Sequence, residues 1–310
     1  MAGLVFSKRA MAAAACAVAL LGVTAACGTS SESSESSSGK LEVVATINAW
    51  GSIAAQLGGD KVHETSIISN PDTDPHDYEP SPADARTVAG AKVFISNGIG
   101  YDAWADKLLA ANPGKDRVEL SVGKELGVAE DGNPHQWYSP ASVTKIVDAI
   151  TADYKKADPA DAAYFDDLRT KFVGTALAKY NGLIADIKAK YAGTSVGASE
   201  SIFSPLSDAL GLNLITPAAF LKAISEGTDP APADKAAIDQ QITTRAVKVY
   251  VYNSQNSTPD VQAQVDAVKK QGIEVSAVTE TLAPADATFQ DWQSAQLRTL
   301  EDALHKATGK

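Results

Sequence analysis

Two of the four histidines in this sequence lie in segments whose residue types suit metal binding. His76 lies in the segment NPDTDPHDYEP and His135 in DGNPHQWYSP, each directly after a proline. Proline fixes its own φ and restricts its neighbour, so both imidazoles should be presented from stiff loops. Stiff presentation suits a metal ligand, whose geometry must be preorganised. The remaining histidines, His63 and His305, fall in a predicted strand and a predicted carboxyl-terminal helix, and we interpret them as surface residues.

Two glutamates in the second half of the chain could complete such a site. Glu200 directly follows a strand predicted at Thr194–Ser199, and Glu280 follows one at Ile273–Thr279. Ligands of parallel α/β sheets bind at the carboxyl ends of strands, where the two loop histidines are also expected. The alternatives are a helix-terminal carboxylate for Glu200 and a solvated loop acid for Glu280. The sequence thus predicts a centre of two imidazoles and two carboxylates.

The elements that would position these residues alternate between short apolar runs and amphipathic stretches. Eight strands are predicted, at Leu41–Ile47, Val62–Ser69, Lys92–Asn97, Arg117–Val122, Thr194–Ser199, Leu212–Thr216, Val247–Tyr252 and Ile273–Thr279. Helices are predicted at Trp50–Leu57, Pro82–Ala91, Tyr101–Ala111, Pro140–Lys156, Ile202–Leu210, Ala218–Glu226, Pro232–Thr243, Pro259–Gln271 and Phe289–Ala307. Alternation of strands and helices predicts an α/β fold with mostly parallel sheets.

One segment interrupts this alternation. Residues 159–192 have helical periodicity without an internal proline, and four predicted strands lie on each side of them. A helix of this length is well beyond the usual size. We therefore predict an amino-terminal α/β lobe at 41–158, one long connecting helix at 159–192, and a carboxyl-terminal α/β lobe at 193–310. The metal site is expected in the cleft between the two lobes.

The amino terminus is typical of an exported lipoprotein. A short basic stretch precedes the apolar run Ala10–Val23, which is too short to span a membrane comfortably. Small residues then precede Cys27, as in a bacterial lipobox. We predict a signal peptide at 1–26, lipidation of Cys27, and a Ser-rich tether at 27–40 that holds the protein on the extracytoplasmic face of the cell membrane. The alternative is an ordinary secretory signal with an incidental cysteine.

Composition narrows the classes of function. The formal net charge is -11, so the chain lacks the clustered basic residues that nucleic acid selects, and no nucleic-acid partner is expected. The chain has two cysteines, one in the signal peptide and one at the predicted lipidation position. The folded part therefore has no thiolate to offer a metal. A zincin HExxH motif and a nucleophile elbow are both absent from the sequence, so no enzyme activity is predicted.

The segment DPHDYEP around His76 resembles a motif of the zinc- and manganese-binding solute-binding proteins of ABC importers, the cluster A-I or TroA-like family. The segment NPHQW around His135 is similar to a second motif of that family. The resemblance implies two lobes joined by a long helix, with one divalent metal ion held between them by His76, His135, Glu200 and Glu280. This sequence departs from the family pattern at Glu280, where family members usually have aspartate.

The resemblance also implies partners and cargo. It predicts that the protein captures a divalent transition metal outside the cell and delivers it to an ABC importer permease, as a monomer. Family members with Glu at the position of Glu200 generally prefer manganese, and those with His prefer zinc, so Mn(II) is favoured and zinc is the alternative. A surface adhesin and a metallohydrolase are the less favoured alternatives.

Overall fold

Two four-stranded sheets carry the fold in the computed structural model, which describes residues 39–72, 75–256 and 258–310. The strands are β1 (Leu41–Ile47), β2 (Val62–Ile68), β3 (Val93–Ser96), β4 (Val118–Ser121), β5 (Ser195–Ala198), β6 (Asn213–Leu214), β7 (Val249–Asn253) and β8 (Glu274–Val278). The first sheet has the order β2-β1-β3-β4, and the second has β6-β5-β7-β8. All paired strands are parallel, so their carboxyl ends share one edge of each sheet.

Helices connect these strands. They are α1 (Asn48–Gly58), α2 (Pro82–Gly90), α3 (Ala103–Ala111), α4 (Val122–Leu126), α5 (Pro140–Ala157), α6 (Ala162–Lys171), α7 (Ala178–Tyr191), α8 (Ser204–Leu210), α9 (Ala218–Ser225), α10 (Pro232–Thr243), α11 (Pro259–Lys270) and α12 (Phe289–Thr308). The predicted α/β fold with two lobes is confirmed. All eight predicted strands are present, and each predicted helix corresponds to a helix of the structure.

Both faces of the central strands are buried, which explains their nearly continuous apolar sequences. In β3, Val93 and Ile95 join the main core, whereas Phe94 packs on the opposite face against α2 and α3. In β7, Val249 and Val251 face the main core, whereas Tyr250 packs in a separate cluster with residues of α10 and α11. Each lobe is therefore a sheet covered by helices on both sides.

The predicted connecting helix is a helical segment with a local change of pitch. Residues Phe172–Ala176 between α6 and α7 form a π-helical turn, in which the Leu177 amide donates to the Phe172 carbonyl at 2.9 Å. Phe172 and Leu177 are five residues apart and both buried. An α-helix would turn residues at that spacing to different faces, because it has 3.6 residues per turn, whereas a π turn accommodates the extra residue. The change of pitch therefore keeps both side chains in the core.

Most predicted strand boundaries differ from the structure by one or two residues, and at one of them the predicted end of a strand is the start of a helix. The strand predicted to end at Val122 ends at Ser121, and Val122–Leu126 forms the short helix α4, capped by Gly127 at φ 70°. A short apolar run fits a strand or a buried helical turn equally well, so periodicity cannot place this boundary. Serine hydroxyls cap two of the helices: Ser81 accepts from the Asp84 backbone amide at the start of α2, and Ser139 accepts from the Ser142 backbone amide at the start of α5.

Several predictions fall on residues that the structure leaves undescribed. The signal peptide at 1–26, lipidation at Cys27 and nearly all of the tether lie outside the described residues, as does Asp74 of the first histidine segment. Within the described part of the chain, no helix combines the length and apolar character needed to cross a membrane.

Candidate metal centre

His135 is held by its own loop in a form that suits coordination. Its backbone amide and its Nδ1 both lie 3.0 Å from the Asn133 side-chain oxygen. Asn133 in turn donates through Nδ2 to the carbonyl of Ser201, in the second half of the chain, at 2.7 Å. Because Nδ1 donates to an amide oxygen, Nε2 carries the lone pair and is the atom available to a metal. That Nε2 is buried and makes no hydrogen bond within the described residues.

Aromatic rings enclose this imidazole. The Trp137 ring, which is fully buried, lies 5.4 Å from the His135 ring, centroid to centroid, at nearly a right angle. The Tyr101 ring lies 6.2 Å from it. Burial lowers the pKa of His135 below its usual 6.5, against the opposing contacts with Glu280. The ring is therefore neutral near pH 7, which is the form that binds metal.

His76 approaches the same point from the other loop. It lies in a single helical turn, Pro75–Asp77, after β2. Its ring packs 4.9 Å from the Tyr101 ring and 5.7 Å from the His135 ring, measured between centroids. Its side chain is 23% exposed, whereas His135 is fully buried. The two imidazoles therefore meet edge to face, with His76 on the solvent side.

Glu280 joins the two histidines. Its Oε1 lies 3.5 Å from His76 Nε2, and its Oε2 lies 3.8 Å from His135 Nε2. The Tyr101 hydroxyl donates to Oε2 at 2.7 Å. Burial by itself raises the pKa of Glu280, but the two imidazoles and the Tyr101 hydroxyl lower it more, to about 2. A fully buried carboxylate thus stays ionised beside two imidazoles.

Glu200 is close to this group without belonging to its innermost cluster. Ligand atoms of His76, His135 and Glu280 all lie within 4.8 Å of one another, and Glu200 is not part of that set. The fully buried Glu200 carboxylate instead accepts from Asn253 Nδ2 at 2.6 Å and from Asn256 Nδ2 at 2.9 Å. The structure therefore brings three of the four predicted ligands together and places the fourth beside them.

A cavity of about 560 Å³ opens next to this cluster. Its lining comes from both halves of the chain and includes His76, Tyr101, Asn133, Ser201 and Asn256. Of the four predicted ligands, His76 lines the cavity, whereas His135, Glu200 and Glu280 are completely buried. The cluster thus lies at the inner end of a cleft between the two lobes, as predicted.

Sequence reasoning missed two residues that organise the cluster. Tyr101 follows β3 by a short loop, and Asn253 ends β7. Both lie at carboxyl ends of parallel strands, the same position that identified Glu200 and Glu280. Applied to every strand of both sheets, that rule would have indicated them, although a lone tyrosine or asparagine after a strand is a weak signal.

The donors present suit a divalent transition metal. The cluster offers imidazole nitrogen and carboxylate oxygen, and no cysteine occurs in the described residues. Imidazole suits zinc and other late transition metals, and carboxylate oxygen suits manganese as well. Glu280 is a fully buried carboxylate, and burying a charge is costly unless a partner such as a cation compensates it. The chemistry of the donor set therefore fits one bound ion.

Known proteins share this architecture. The family model for zinc-uptake complex component A, periplasmic (ZnuA), matches residues 43–303. The manganese ABC transporter substrate-binding lipoprotein PsaA of Streptococcus pneumoniae is 30% identical over 264 residues, covering 78% of this chain and 81% of that protein. The manganese-binding lipoprotein MntA of Halalkalibacterium halodurans is 28% identical over 158 residues, or 47% of this chain; the match spans about half of that relative, 52%.

Solved structures agree on the fold. A Mn-bound S38A variant of a periplasmic metal-binding protein from Candidatus Liberibacter asiaticus superposes with a TM-score of 0.71 at 20% identity, covering 86% of this chain and 100% of that one. FpvC of Pseudomonas aeruginosa, in complex with Mn2+, gives 0.69 at 20% identity, with 86% and 99% covered. The predicted resemblance to the cluster A-I family is confirmed. With residues 43–303 matched by that model, the chain belongs to the family described as zinc-uptake complex component A, periplasmic (ZnuA).

Proposed function

We propose that this protein captures one divalent transition-metal ion outside the cell and delivers it to the permease of an ABC importer. The observation that carries the proposal is the convergence of two imidazoles and a buried carboxylate at the inner end of the cleft. The proposed ligands are His76, His135, Glu280 and Glu200. Because the family relatives are named as substrate-binding proteins of ABC transporters, we assign the protein a binding role and no reaction of its own.

The proposal is tested by metal titration of the purified mature protein. After removal of metal by a chelator, addition of Mn(II) or Zn(II) should give saturation at one ion per chain. Binding to the folded state alone raises the unfolding temperature as the ratio of free ion to Kd increases. The proposal would be wrong if neither ion changed the unfolding temperature of the protein.

Manganese is the favoured cargo, and zinc is the alternative. The curated relatives named above bind manganese by their names, whereas the family is named for zinc uptake. Zinc favours four-coordinate sites, and manganese favours more oxygen donors and a higher coordination number. Two buried glutamates can supply up to about four oxygens, which approaches the six-coordinate sphere of manganese. We therefore propose that Glu200, as the second glutamate beside Glu280, decides the preference for manganese over zinc.

Glu200→His is expected to weaken manganese binding far more than zinc binding. The substitution replaces an oxygen donor with an imidazole, which lowers the possible coordination number and makes the site richer in nitrogen. Competition of Mn(II) and Zn(II) for parent and variant measures the ratio of the two affinities. An unchanged manganese affinity in the variant would transfer the assignment to zinc.

The proposed location rests on the amino terminus and on relatives that are named lipoproteins. Cys27→Ala removes the sulfur that would carry the lipid. We expect the variant to be released from the membrane or to accumulate as an unprocessed precursor, and cell fractionation with immunoblotting separates these forms. A processed Cys27→Ala protein retained on the membrane would contradict the anchor.

We also propose that the mature protein acts as a monomer, with lobes at 41–158 and 193–310.

A further inference from the structure

Asn253 lies between the two carboxylates because of the order of the strands. It is the last residue of β7, and β7 lies between β5 and β8 in the sheet. Glu200 follows β5, and Glu280 follows β8. The carboxyl ends of neighbouring parallel strands share one edge of a sheet, so the middle strand places its last side chain between those of its neighbours.

The orientation of this side chain is fixed. Asn253 is completely buried. Its backbone amide donates to the Ser199 hydroxyl at 3.2 Å, and its side-chain Oδ1 accepts from the backbone amide of Gln255 at 3.0 Å. With Oδ1 turned to a backbone donor, the NH₂ group faces the opposite way. If the side-chain amide were flipped, Oδ1 would face two carboxylates, and the Nδ2 donor would face the backbone N–H of Gln255.

The NH₂ group bridges both carboxylates. Nδ2 lies 2.6 Å from Glu200 Oε1 and 2.9 Å from Glu280 Oε1, so each of its two hydrogens serves one glutamate. The remaining oxygens accept from other side chains, Asn256 at 2.9 Å and the Tyr101 hydroxyl at 2.7 Å. A shared neutral donor holds the two carboxyl groups together and offsets the repulsion between them when both are ionised. Each carboxylate oxygen keeps a second lone pair for a metal.

We infer that Asn253 is a positioning residue that holds Glu200 and Glu280 as one pair and thereby sets the preference for manganese over zinc. The inference rests on the proposed function. A four-coordinate zinc ion is satisfied by two imidazoles, Glu280 and one further oxygen. Manganese needs the oxygens of both glutamates for its larger sphere. Loss of the bridge frees Glu200 to move away from Glu280, which removes donors that manganese requires and zinc can replace.

The test compares Asn253→Leu, which has a similar volume and no donor, with Asn253→Ser, which keeps one O–H. The matched control is Asn213→Leu. Asn213 is exposed in β6 of the same sheet, where its side-chain amide donates to the Ser195 hydroxyl at 3.2 Å. Dissociation constants for Mn(II) and Zn(II) are measured on the mature chain by competition with a chelating dye. Circular dichroism verifies that each variant is folded.

We expect Asn253→Leu to raise the Kd for Mn(II) about 10- to 100-fold, the usual effect of losing a partner of a metal ligand. The Kd for Zn(II) should rise by less than about 10-fold. Asn253→Ser should raise the Kd for Mn(II) by a smaller factor than Asn253→Leu does. The Kd values of Asn213→Leu for both ions should match those of the parent. An unchanged ratio of manganese to zinc affinity in both Asn253 variants overturns the inference, and if the Leu variant is unfolded the Ser variant alone decides. Failure of the parent to bind either ion would instead overturn the proposed function.

Discussion

His135→Ala is expected to lower the affinity for Mn(II) and Zn(II) by at least about 100-fold. Loss of an outer partner of a metal ligand already costs 10–100-fold, and this change removes a ligand itself. The vacated space lies beside the buried Trp137 ring, and the site is left with one imidazole. Isothermal titration of the metal-free protein with each ion measures the loss.

The control for this experiment is His63→Ala, the same substitution on a histidine whose side chain is 64% exposed and pairs with Glu42 on the first sheet. This variant should bind both ions like the parent. Circular dichroism and urea unfolding of metal-free samples separate lost affinity from a lost fold. A folded His135→Ala protein that binds metal as tightly as the parent would show that the ion is held elsewhere.

Glu280→Gln is expected to have an effect of similar size, at least about 100-fold on both ions. The substitution keeps the shape of the side chain but removes its charge, which the bound cation requires. The amide also replaces one oxygen that accepts from Tyr101 or Asn253, so one of these donors faces an NH₂ group. Direct titration with Mn(II) and Zn(II) measures the change. Retention of either affinity within a few-fold would remove Glu280 from the site.

The same variant alters how the stability of the metal-free protein depends on pH. The pKa of Glu280 falls from 4.5 to about 2 in the folded protein. A carboxyl with a lowered folded pKa stabilises the fold above its unfolded pKa, and this contribution is lost as pH falls from about 4.5 towards 2. Glu280→Gln should flatten this part of the curve. Glu274→Gln, at the other end of β8, is the matched control and should follow the parent.

The sequence contained enough information to place the strands and to single out three residues that the structure brings together, His76, His135 and Glu280. Hydrophobic runs located every strand, and stiff proline segments marked His76 and His135. Glu280 was found because strand ends in a parallel sheet share one edge. These patterns are local, or depend only on the order of elements along the chain. They can therefore be recognised without knowing how the two halves of the chain pack together.

The contacts that complete the site depend on packing between distant parts of the chain. Tyr101 and Glu280 are 179 residues apart, and no local pattern pairs them. Glu200 has the predicted place at a strand end, but its carboxylate is turned by Asn253 and Asn256, whose roles emerge only from the sheet order. Such pairings follow from three-dimensional packing, which periodicity does not encode.

We expect the exposure of His76 to divide the entry of an ion into two stages. A cavity of about 560 Å³ has room for an ion with about six waters, since each water occupies roughly 30 Å³. His135 and Glu280 are at 0% exposure and do not line this cavity, so we expect an ion that reaches them to lose water as it passes the His76 ring. We expect the rates of uptake and discharge to depend on this one solvent-facing imidazole, while the buried donors decide which ion is retained.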